Sequence, residues 1–386
     1  MRVNAVLWKR QLLLEFRSKL SGESIDKAKS DSHAKRRVRP CGLTVHPGEG
    51  CPYTCSYCYV PQLNSDFIHL KPSTLDGREL VFSLLSNPQF VPGRMGTFLP
   101  FGSLCDPFHP DCVEKTLDFL DYVAENLENP CQFSTKMYLS EEMSHRLSRL
   151  EGSSLSPLVS FTTWEQAELL EPNVPSPAER MESVSNLKEA GLKPILFLRP
   201  IIPGVTDEEL DILLWRGKEA GAVGVIFGSL KVSQGLLSRL KEKGVNLDSV
   251  SKRRGVTTTG DRLISMPSSE FKTKAAQKAK ELGLIPFLSS CCANAYTAQV
   301  PCTSLCWTSQ FCTQCPNACS QTIPYLKREE LTRAVRLLLG TEPRRIELHS
   351  QKVTIHLPAR LNAREVRKYI PPLQVITRKR VQIRTS

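Results

Sequence analysis

Between residues 42 and 230, short runs rich in β-branched and aromatic residues alternate with longer amphipathic stretches. The predicted strands occupy residues 43–46, 96–103, 132–136, 158–163, 194–202 and 222–230. The predicted helices between and after them occupy residues 112–126, 140–150, 177–190, 207–220 and 234–243. Strands separated by helices of this length run parallel, with right-handed crossovers. Six such units predict an α/β fold built as a partial (β/α)6 TIM-type barrel rather than a closed eight-unit barrel.

Three cysteines follow the first predicted strand. Cys51, Cys55 and Cys58 form a C-x3-C-x2-C pattern in CPYTCSYCYV. Three thiolates at this spacing suit three corners of a cubane [4Fe–4S] cluster, whose fourth iron then stays open to a small molecule. A zinc site or three unrelated thiols are the alternatives, although structural zinc sites usually pair one C-x2–4-C with a second pair. Because the loops after barrel strands form the active face, the predicted cluster belongs there.

Composition limits where such a chain works. The 386 residues are 40% hydrophobic, which is enough for a substantial core. Most of the fourteen cysteines fall in two groups, and no signal-like apolar run opens the chain, so we expect a reducing, cytoplasmic compartment with cysteines used for metal. No apolar stretch reaches the length of a membrane-spanning helix, so no membrane partner is predicted.

The net charge of +12 is concentrated at the two ends of the chain. Residues 1–40 carry eleven Lys and Arg against four acids, and residues 343–386 carry eleven against two. The ends are therefore +7 and +9, and residues 41–342 carry −4. Basic ends favour a polyanion partner such as RNA or DNA. Lys and Arg that only solvate surface segments would give the same pattern.

A second group of cysteines lies within 29 residues near the C-terminus. Its members are Cys291, Cys292, Cys302, Cys306, Cys312, Cys315 and Cys319. The last four of these are predicted to bind a second [4Fe–4S] cluster, with Cys302 as a near alternative ligand, because their spacing resembles part of an iron–sulfur ligand set. A four-cysteine zinc or mononuclear iron site is the alternative, since C-x2-C also suits tetrahedral thiolate coordination, and free thiols are a third. Spacing alone does not fix which four of the seven bind metal.

These patterns divide the chain into four parts. Residues 1–40 are predicted as a basic arm, with a short helix or strand followed by a mobile segment. The barrel covers residues 41–240, and residues 241–325 hold a linker, a helix at 271–284 and the metal-binding segment. Residues 326–386 are predicted as a helix at 327–339 and a small basic β-rich appendage, because IELHSQKVTIHL and LQVITRKRVQIR alternate apolar and polar residues.

The cysteine triplet resembles the signature of the radical S-adenosylmethionine (SAM) enzymes. Four further blocks, in their order and spacing, resemble the spore photoproduct lyase branch of that family: GSLCDPFHP, FSTK, EPNVPSPAER and LRPIIPGVTD. The resemblance implies that SAM chelates the open iron and is cleaved, after one electron arrives from a reductant such as ferredoxin or flavodoxin, to a 5′-deoxyadenosyl radical. Glu171 and Arg180, in the third block, match family positions where either an ion pair or a ligand contact is expected.

The resemblance also implies roles for single residues. Tyr57 is expected to lie against the adenine of SAM, and Lys136 to contact its carboxylate. Ser103 falls in a cofactor-proximal loop, at the position where the lyase carries a cysteine that returns a hydrogen atom to the substrate radical. The nearest thiol here is Cys105, which is the candidate catalytic hydrogen donor. This departure from the family pattern puts repair of thymine dimers in doubt.

Three functions are compatible with these features. The preferred one is radical SAM modification of a nucleic acid that the basic ends bind. The second is radical modification of a peptide or protein, by C–C or C–S bond formation or methylation, with the second cluster taking part. The third is a nonenzymatic iron–sulfur electron carrier or nucleic-acid-binding module, against which the open iron of the first cluster argues.

Overall fold

A computed structural model describes residues 2–39, 41–62, 66–246, 260–302, 316, 318–319, 321–323, 325–359 and 362–385. Its strands, in chain order, are β1 (Gly48–Glu49), β2 (Lys71–Pro72), β3 (Leu99–Phe101), β4 (Cys131–Thr135), β5 (Leu155–Phe161), β6 (Ile195–Ile201), β7 (Gly224–Ser229), β8 (Lys231–Val232), β9 (Ile264–Ser265), β10 (Ile285–Phe287), β11 (Arg345–Leu348), β12 (Lys352–Leu357) and β13 (Arg380–Thr385). Its helices are α1 (Arg2–Lys19), α2 (Gly22–Ser30), α3 (Ser32–Lys35), α4 (Gly77–Ser86), α5 (Val113–Leu127), α6 (Glu141–Ser148), α7 (Ala167–Leu170), α8 (Pro177–Glu189), α9 (Leu210–Glu219), α10 (Gln234–Glu242), α11 (Ser269–Glu281), α12 (Ser290–Ala298), α13 (Arg328–Leu339), α14 (Ala363–Arg367) and α15 (Ile370–Thr377).

A six-stranded parallel sheet forms the core, in the order β10-β7-β6-β5-β4-β3. The predicted α/β partial barrel is therefore confirmed, with β3 and β10 as its edges in the described part of the chain. Every residue of β5 is buried, as is all of β6 except Arg199. Burial on both faces explains why these strands read as continuous apolar runs. The carboxyl ends of the strands share one edge, where the site lies.

Two ends of the predicted sheet differ from the observed one. Residues 43–46 do not form a strand of the sheet; the backbone N–H groups of Leu43 and Val45 donate to the carbonyl oxygens of Phe98 and Pro100, at 2.9 and 2.8 Å, and make one parallel bridge beside β3. The sixth strand is instead β10, which pairs with β7. It lies at the start of the segment predicted to bind metal. It was not predicted as a strand, because three residues are too few to show a strand pattern.

The N-terminal segment packs on the barrel and is not a mobile arm. Ala28 and His33, on α2 and α3, are buried, and both helices contact α4. The side-chain amide of Asn87 donates to the carbonyl oxygens of His33 and Arg36, at 2.8 Å each. Helix α4 itself was not predicted, although its N-cap Asp76 forms a capping box with the residue three positions later. None of the described helices is both long and apolar enough to cross a membrane.

The C-terminal appendage contains the predicted helix and a three-stranded sheet in which β12 pairs antiparallel with β11 and parallel with β13. The second alternating segment differs from expectation, because its first half forms α15, which opens with Pro371 and Pro372 in its first turn. Arg378, in left-handed backbone conformation just after this helix, is fully buried. Its guanidinium donates to the carbonyl oxygen of Met95 at 2.6 Å and so fastens the appendage to the segment before β3.

Candidate functional site

The cysteine triplet lies on the loop after β1. The backbone N–H of Cys51 donates to the carbonyl of Phe67 at 2.6 Å, and that of Cys58 donates to the carbonyl of Cys55 at 2.9 Å. The Arg239 guanidinium also donates to the Cys58 carbonyl, at 2.6 Å. These bonds hold all three thiols on the wall of one cavity of about 180 Å³.

The surroundings of the three thiols fit the iron–sulfur cluster that the resemblance implies. Burial raises the pKa of Cys51 to about 11 and that of Cys55 to about 12, and it also raises the pKa of Cys58. A buried thiolate therefore needs a cation, and iron is a soft-ligand partner of the right kind. Three sulfurs that share one cavity wall meet the donor chemistry of a three-cysteine [4Fe–4S] site.

A second cavity, of about 420 Å³, adjoins the first at the carboxyl ends of the barrel strands. Tyr57, Ser103 and Lys136 line both cavities. They come from the cysteine loop, the loop after β3 and the end of β4, so the fold brings together the three residues that the sequence assigns to the cofactor. This position fits a ligand that reaches from the cluster into the larger space.

One buried carboxylate links the cofactor residues. Glu171, which follows α7, accepts a hydrogen bond from the Tyr57 hydroxyl. The same carboxylate lies 3.3 Å from the ammonium of Lys136 and 2.7 Å from the guanidinium of Arg180, whose side chain is also fully buried. Arg180 donates in addition to the carbonyl of Ser160, at 2.8 Å. Of the two roles open for Glu171 and Arg180, the structure shows the ion pair, and it lies in the core.

The charges of this group determine what it can bind. Burial would raise the pKa of Glu171, but Lys136 and Arg180 outweigh that effect and lower it to about 2. The carboxylate is thus ionised at neutral pH and offsets one of its two cationic neighbours. The remaining positive charge is the Lys136 ammonium at the cavity wall, and Glu171 orients this ammonium. A carboxylate of a ligand is the natural counterion there.

Ser103 and Cys105 face different surroundings. Ser103 is exposed on the walls of both cavities, whereas Cys105 is buried and lines only the smaller one, beside the triplet. The Cys105 sulfur lies 3.9 Å from that of Cys112. The hydrogen bond between these thiols, together with burial, raises the pKa of Cys105, so this thiol keeps its proton. The candidate hydrogen donor therefore sits on the cluster side of the site.

Asp106 fixes the loop that carries these two residues. Its carboxylate is buried and accepts from the Thr135 hydroxyl at 2.6 Å, from the Lys136 backbone N–H at 2.7 Å and from the Phe108 backbone N–H at 3.0 Å. Burial raises the pKa of Asp106. Its role is structural, because these hydrogen bonds join the loop after β3 to the end of β4.

Sequence reasoning missed two cations of the larger cavity. Arg199 projects from β6, and Lys231 follows β7. The guanidinium of Arg199 lies 5.6 Å from the ring centroid of Phe197, and the ammonium of Lys231 lies 4.4 Å from that of Tyr59. No Asp or Glu is found among the described residues that line this cavity. A signal for Arg199 was available, because it lies at a strand end within the block LRPIIPGVTD.

The second cysteine group is described in part. Cys306, Cys312 and Cys315 lie outside the described residues, and the fourth predicted ligand, Cys319, is buried. The thiol of Cys302, the alternative ligand named from sequence, lies close to those of Cys291 and Cys292, which were not among the predicted ligands. The group that the described part of the chain brings together is therefore a different one from the predicted set.

No family model matches the chain. Two relatives are uncharacterised proteins: one from Methanocaldococcus jannaschii is 24% identical over 184 residues (46% of this chain, 68% of the relative), and one from Acidianus two-tailed virus is 24% identical over 227 residues (54% and 70%).

Solved structures decide the fold. A spore photoproduct lyase variant with bound AdoMet and dinucleoside spore photoproduct matches with a TM-score of 0.51 at 13% identity, over 66% of this chain and 79% of that one. A further variant of that lyase matches with a TM-score of 0.52 at 14% identity, over 69% and 84%. The chain has the spore photoproduct lyase fold. The predicted resemblance to this branch of the radical SAM enzymes is thereby confirmed at the level of the fold.

The Glu171 group predicts an acid-sensitive contribution to stability. A Glu171→Gln substitution leaves Arg180 buried without its counterion, which should lower the free energy of unfolding by about 3–5 kcal/mol at pH 7. Because the pKa of Glu171 is about 2 in the folded protein against 4.5 normally, the wild-type advantage should shrink as the pH falls from 4.5 towards 2.

Urea unfolding of both proteins at several pH values measures this difference. Glu182→Gln is the matched control, since that carboxylate accepts a hydrogen bond from the Tyr138 hydroxyl at an exposed position. It should change stability by no more than about 0.5 kcal/mol. Equal losses in the two variants would contradict a special role for Glu171.

Proposed function

We propose that this chain is a radical SAM enzyme that modifies a nucleic acid, RNA or DNA. The observation that carries the proposal is the juxtaposition of three cluster-type thiols with a cation-lined cavity at the carboxyl ends of the barrel strands. A [4Fe–4S] cluster bound by Cys51, Cys55 and Cys58 would supply the electron that cleaves SAM to methionine and a 5′-deoxyadenosyl radical. A lyase with the same fold binds AdoMet and a dinucleoside photoproduct, which supports both parts of the proposal.

The protein residues bind and orient SAM. The ring of Tyr57 lines the cavity while its hydroxyl is held from behind by Glu171, so the ring offers a fixed face to the adenine. Lys136 supplies the positive charge that the SAM carboxylate needs, and Glu171 fixes the direction of that charge. Ser103, exposed on both cavity walls, is placed to hydrogen-bond the cofactor. Because Tyr57 and Glu171 are buried, they would exclude water from the side of the cavity where SAM would be cleaved.

The lining of the larger cavity favours a nucleic acid over a peptide. Lys136 takes the cofactor carboxylate, and Arg199 and Lys231 are then left for a second anion. Both cations lie over aromatic rings, an arrangement that suits phosphate beside a stacked base. Peptide modification is the alternative and depends on the second metal centre. A nonenzymatic electron carrier would have no use for a cavity of about 420 Å³ beside its cluster.

The enzyme we propose works in the cytoplasm and receives its electron from an external one-electron reductant such as ferredoxin or flavodoxin. A second [4Fe–4S] cluster on Cys306, Cys312, Cys315 and Cys319 stays a prediction from spacing, with zinc or iron in a four-cysteine site as its alternative.

Loss of one cluster ligand tests the central claim. Cys55→Ala removes one of three thiols from the cluster site, so anaerobically reconstituted and reduced protein should form 5′-deoxyadenosine from SAM only at the background rate, as measured by liquid chromatography. Cys131→Ala is the matched control, because that cysteine is buried in β4, lines neither cavity, and its thiol donates to the Asn129 carbonyl at 3.4 Å. Full product yield from Cys55→Ala would refute radical SAM chemistry at this site.

The cation pair predicts how binding depends on salt. Arg199→Gln with Lys231→Gln should weaken binding of a single-stranded oligonucleotide, and should flatten the plot of log affinity against log salt by about 0.7 for each phosphate that is no longer neutralised. Fluorescence anisotropy at several salt concentrations measures both effects. Lys274→Gln is the control, since Lys274 pairs with Glu270 on the exposed face of α11. An unchanged slope in the double variant would favour the peptide alternative.

Cys105 is the proposed hydrogen-atom donor to the substrate radical. It lines the cavity that holds the triplet. The transfer would break its S–H bond and form a C–H bond on the substrate, and one electron from the external reductant with a proton from solvent would restore the thiol. Cys105→Ala should leave 5′-deoxyadenosine formation intact but lower the ratio of modified substrate to 5′-deoxyadenosine, as measured by mass spectrometry. Cys131→Ala is again the control. An unchanged ratio would assign the transfer to another group.

A further inference from the structure

Three buried thiols outside the triplet converge at the start of α12. The sulfurs of Cys291, Cys292 and Cys302 all lie within 4.8 Å of one another, and each residue is at most 8% exposed. The Cys302 sulfur is 3.9 Å from that of Cys291. Two of the cysteines occupy the first turn of α12, and the third follows the left-handed residue Gln299 that ends the helix. Helix α12 and the segment that follows it thus bring three thiol groups, which are soft metal ligands, close together.

The separation of the sulfurs is compatible with a centre that contains a single metal ion. A single ion with metal–sulfur bonds of about 2.3 Å in tetrahedral geometry separates its thiolates by about 3.8 Å. The 3.9 Å between Cys302 and Cys291 is close to this value. A cubane cluster binds its thiolates to different irons and spreads them much further apart. A disulfide would require about 2.05 Å and would leave one of the three thiols over.

We infer that Cys291, Cys292 and Cys302 bind one divalent metal ion of the zinc type. Cys319 is the candidate for a fourth ligand, because its sulfur accepts the backbone N–H of Cys302 at 3.3 Å within the same buried apolar cluster, although it lies outside the group of three thiols within 4.8 Å. Amide hydrogen bonds to sulfur are the contacts that orient thiolate ligands. This ligand set differs from the cluster predicted from spacing, and metal binding at it requires no SAM chemistry.

The position of this site gives the ion a structural role at the cavity. Cys291 and Ser290 line the larger cavity. The carbonyl of Ser290 accepts from the side-chain amide of Gln132 on β4 at 2.9 Å, so α12 is fastened to the barrel interior next to its ligands. A metal ion here would tie the chain after α12 to the edge of the barrel and fix the wall of the substrate space.

Metal content of the full chain tests the inference. A background variant with Ser at Cys51, Cys55 and Cys58 removes the first iron site, and we expect it to keep about one zinc ion per chain by inductively coupled plasma mass spectrometry. Adding Cys291→Ser and Cys302→Ser should abolish that zinc, and adding Cys131→Ser should not. The measurement is independent of SAM cleavage, so failure of the proposed function would not change it.

A second readout covers the case in which the added substitutions prevent folding. Cobalt(II) titrated into the metal-stripped background variant should give the intense near-ultraviolet sulfur-to-cobalt absorption and the visible bands of a tetrahedral thiolate site. Absence of these bands, or of zinc, in folded background protein would overturn the inference. So would zinc that survives loss of Cys291 and Cys302 but disappears with Cys312→Ser and Cys315→Ser.

Discussion

The buried carboxylate of Glu171 is the interaction on which the rest of the site depends. It contacts the Tyr57 hydroxyl, the Lys136 ammonium and the Arg180 guanidinium, which belong to the cysteine loop, the end of β4 and α8. A cation without a counterion at this depth would cost several kcal/mol, so neither Lys136 nor Arg180 is stable there without it. The same contacts set the direction of the tyrosine ring and of one positive charge. Stability and the arrangement of the proposed cofactor-binding residues therefore depend on a single carboxylate.

The parallel sheet explains why residues that are distant in the chain line one cavity. Loops after β3, β4 and β7 all leave the same edge, so Ser103, Lys136 and Lys231 share a cavity although they are far apart in the chain. Asp106 then joins neighbouring loops through hydrogen bonds to Thr135 and to backbone N–H groups. The cavity walls are thus held by buried polar contacts, while the strands below contribute apolar packing.

Much of the fold follows from local pattern, and the exceptions have physical causes. Helices such as α8 were predicted almost to the residue, because Ser176 and Glu179 form a capping box around a proline in the first turn. The last barrel strand was not predicted, since three residues carry no periodic signal. The tail alternation failed where Leu373 and Val375 lie in a helix that buries both, because tertiary packing overrides a period-two pattern.

Some residues of the candidate site could likewise be predicted from the sequence, and others could not. The triplet was predicted from its local spacing, and Lys136 was assigned a role only through the resemblance that the FSTK block carries. The trio of Cys291, Cys292 and Cys302 was not predicted, since the distances that select three thiols out of seven exist only after α12 has packed on the barrel. Arg199 carried a sequence signal in its position within LRPIIPGVTD, and the absence of carboxylates among the described residues of the cavity wall adds to it.

The two basic ends of the chain meet beside the cavity, and this bears on the nature of the substrate. Arg37 and Arg39 from the N-terminal segment and Pro371 from the C-terminal appendage line one cavity of about 370 Å³ together with Gly42. Cys41, next along the chain to Gly42, lines the larger cavity of the site. The positive charge at this cavity comes from Arg37 and Arg39 of the N-terminal segment, and the C-terminal appendage contributes uncharged residues to its wall. A polyanion that placed one unit beside the cofactor would find further cations within reach, whereas a neutral peptide would gain nothing from them.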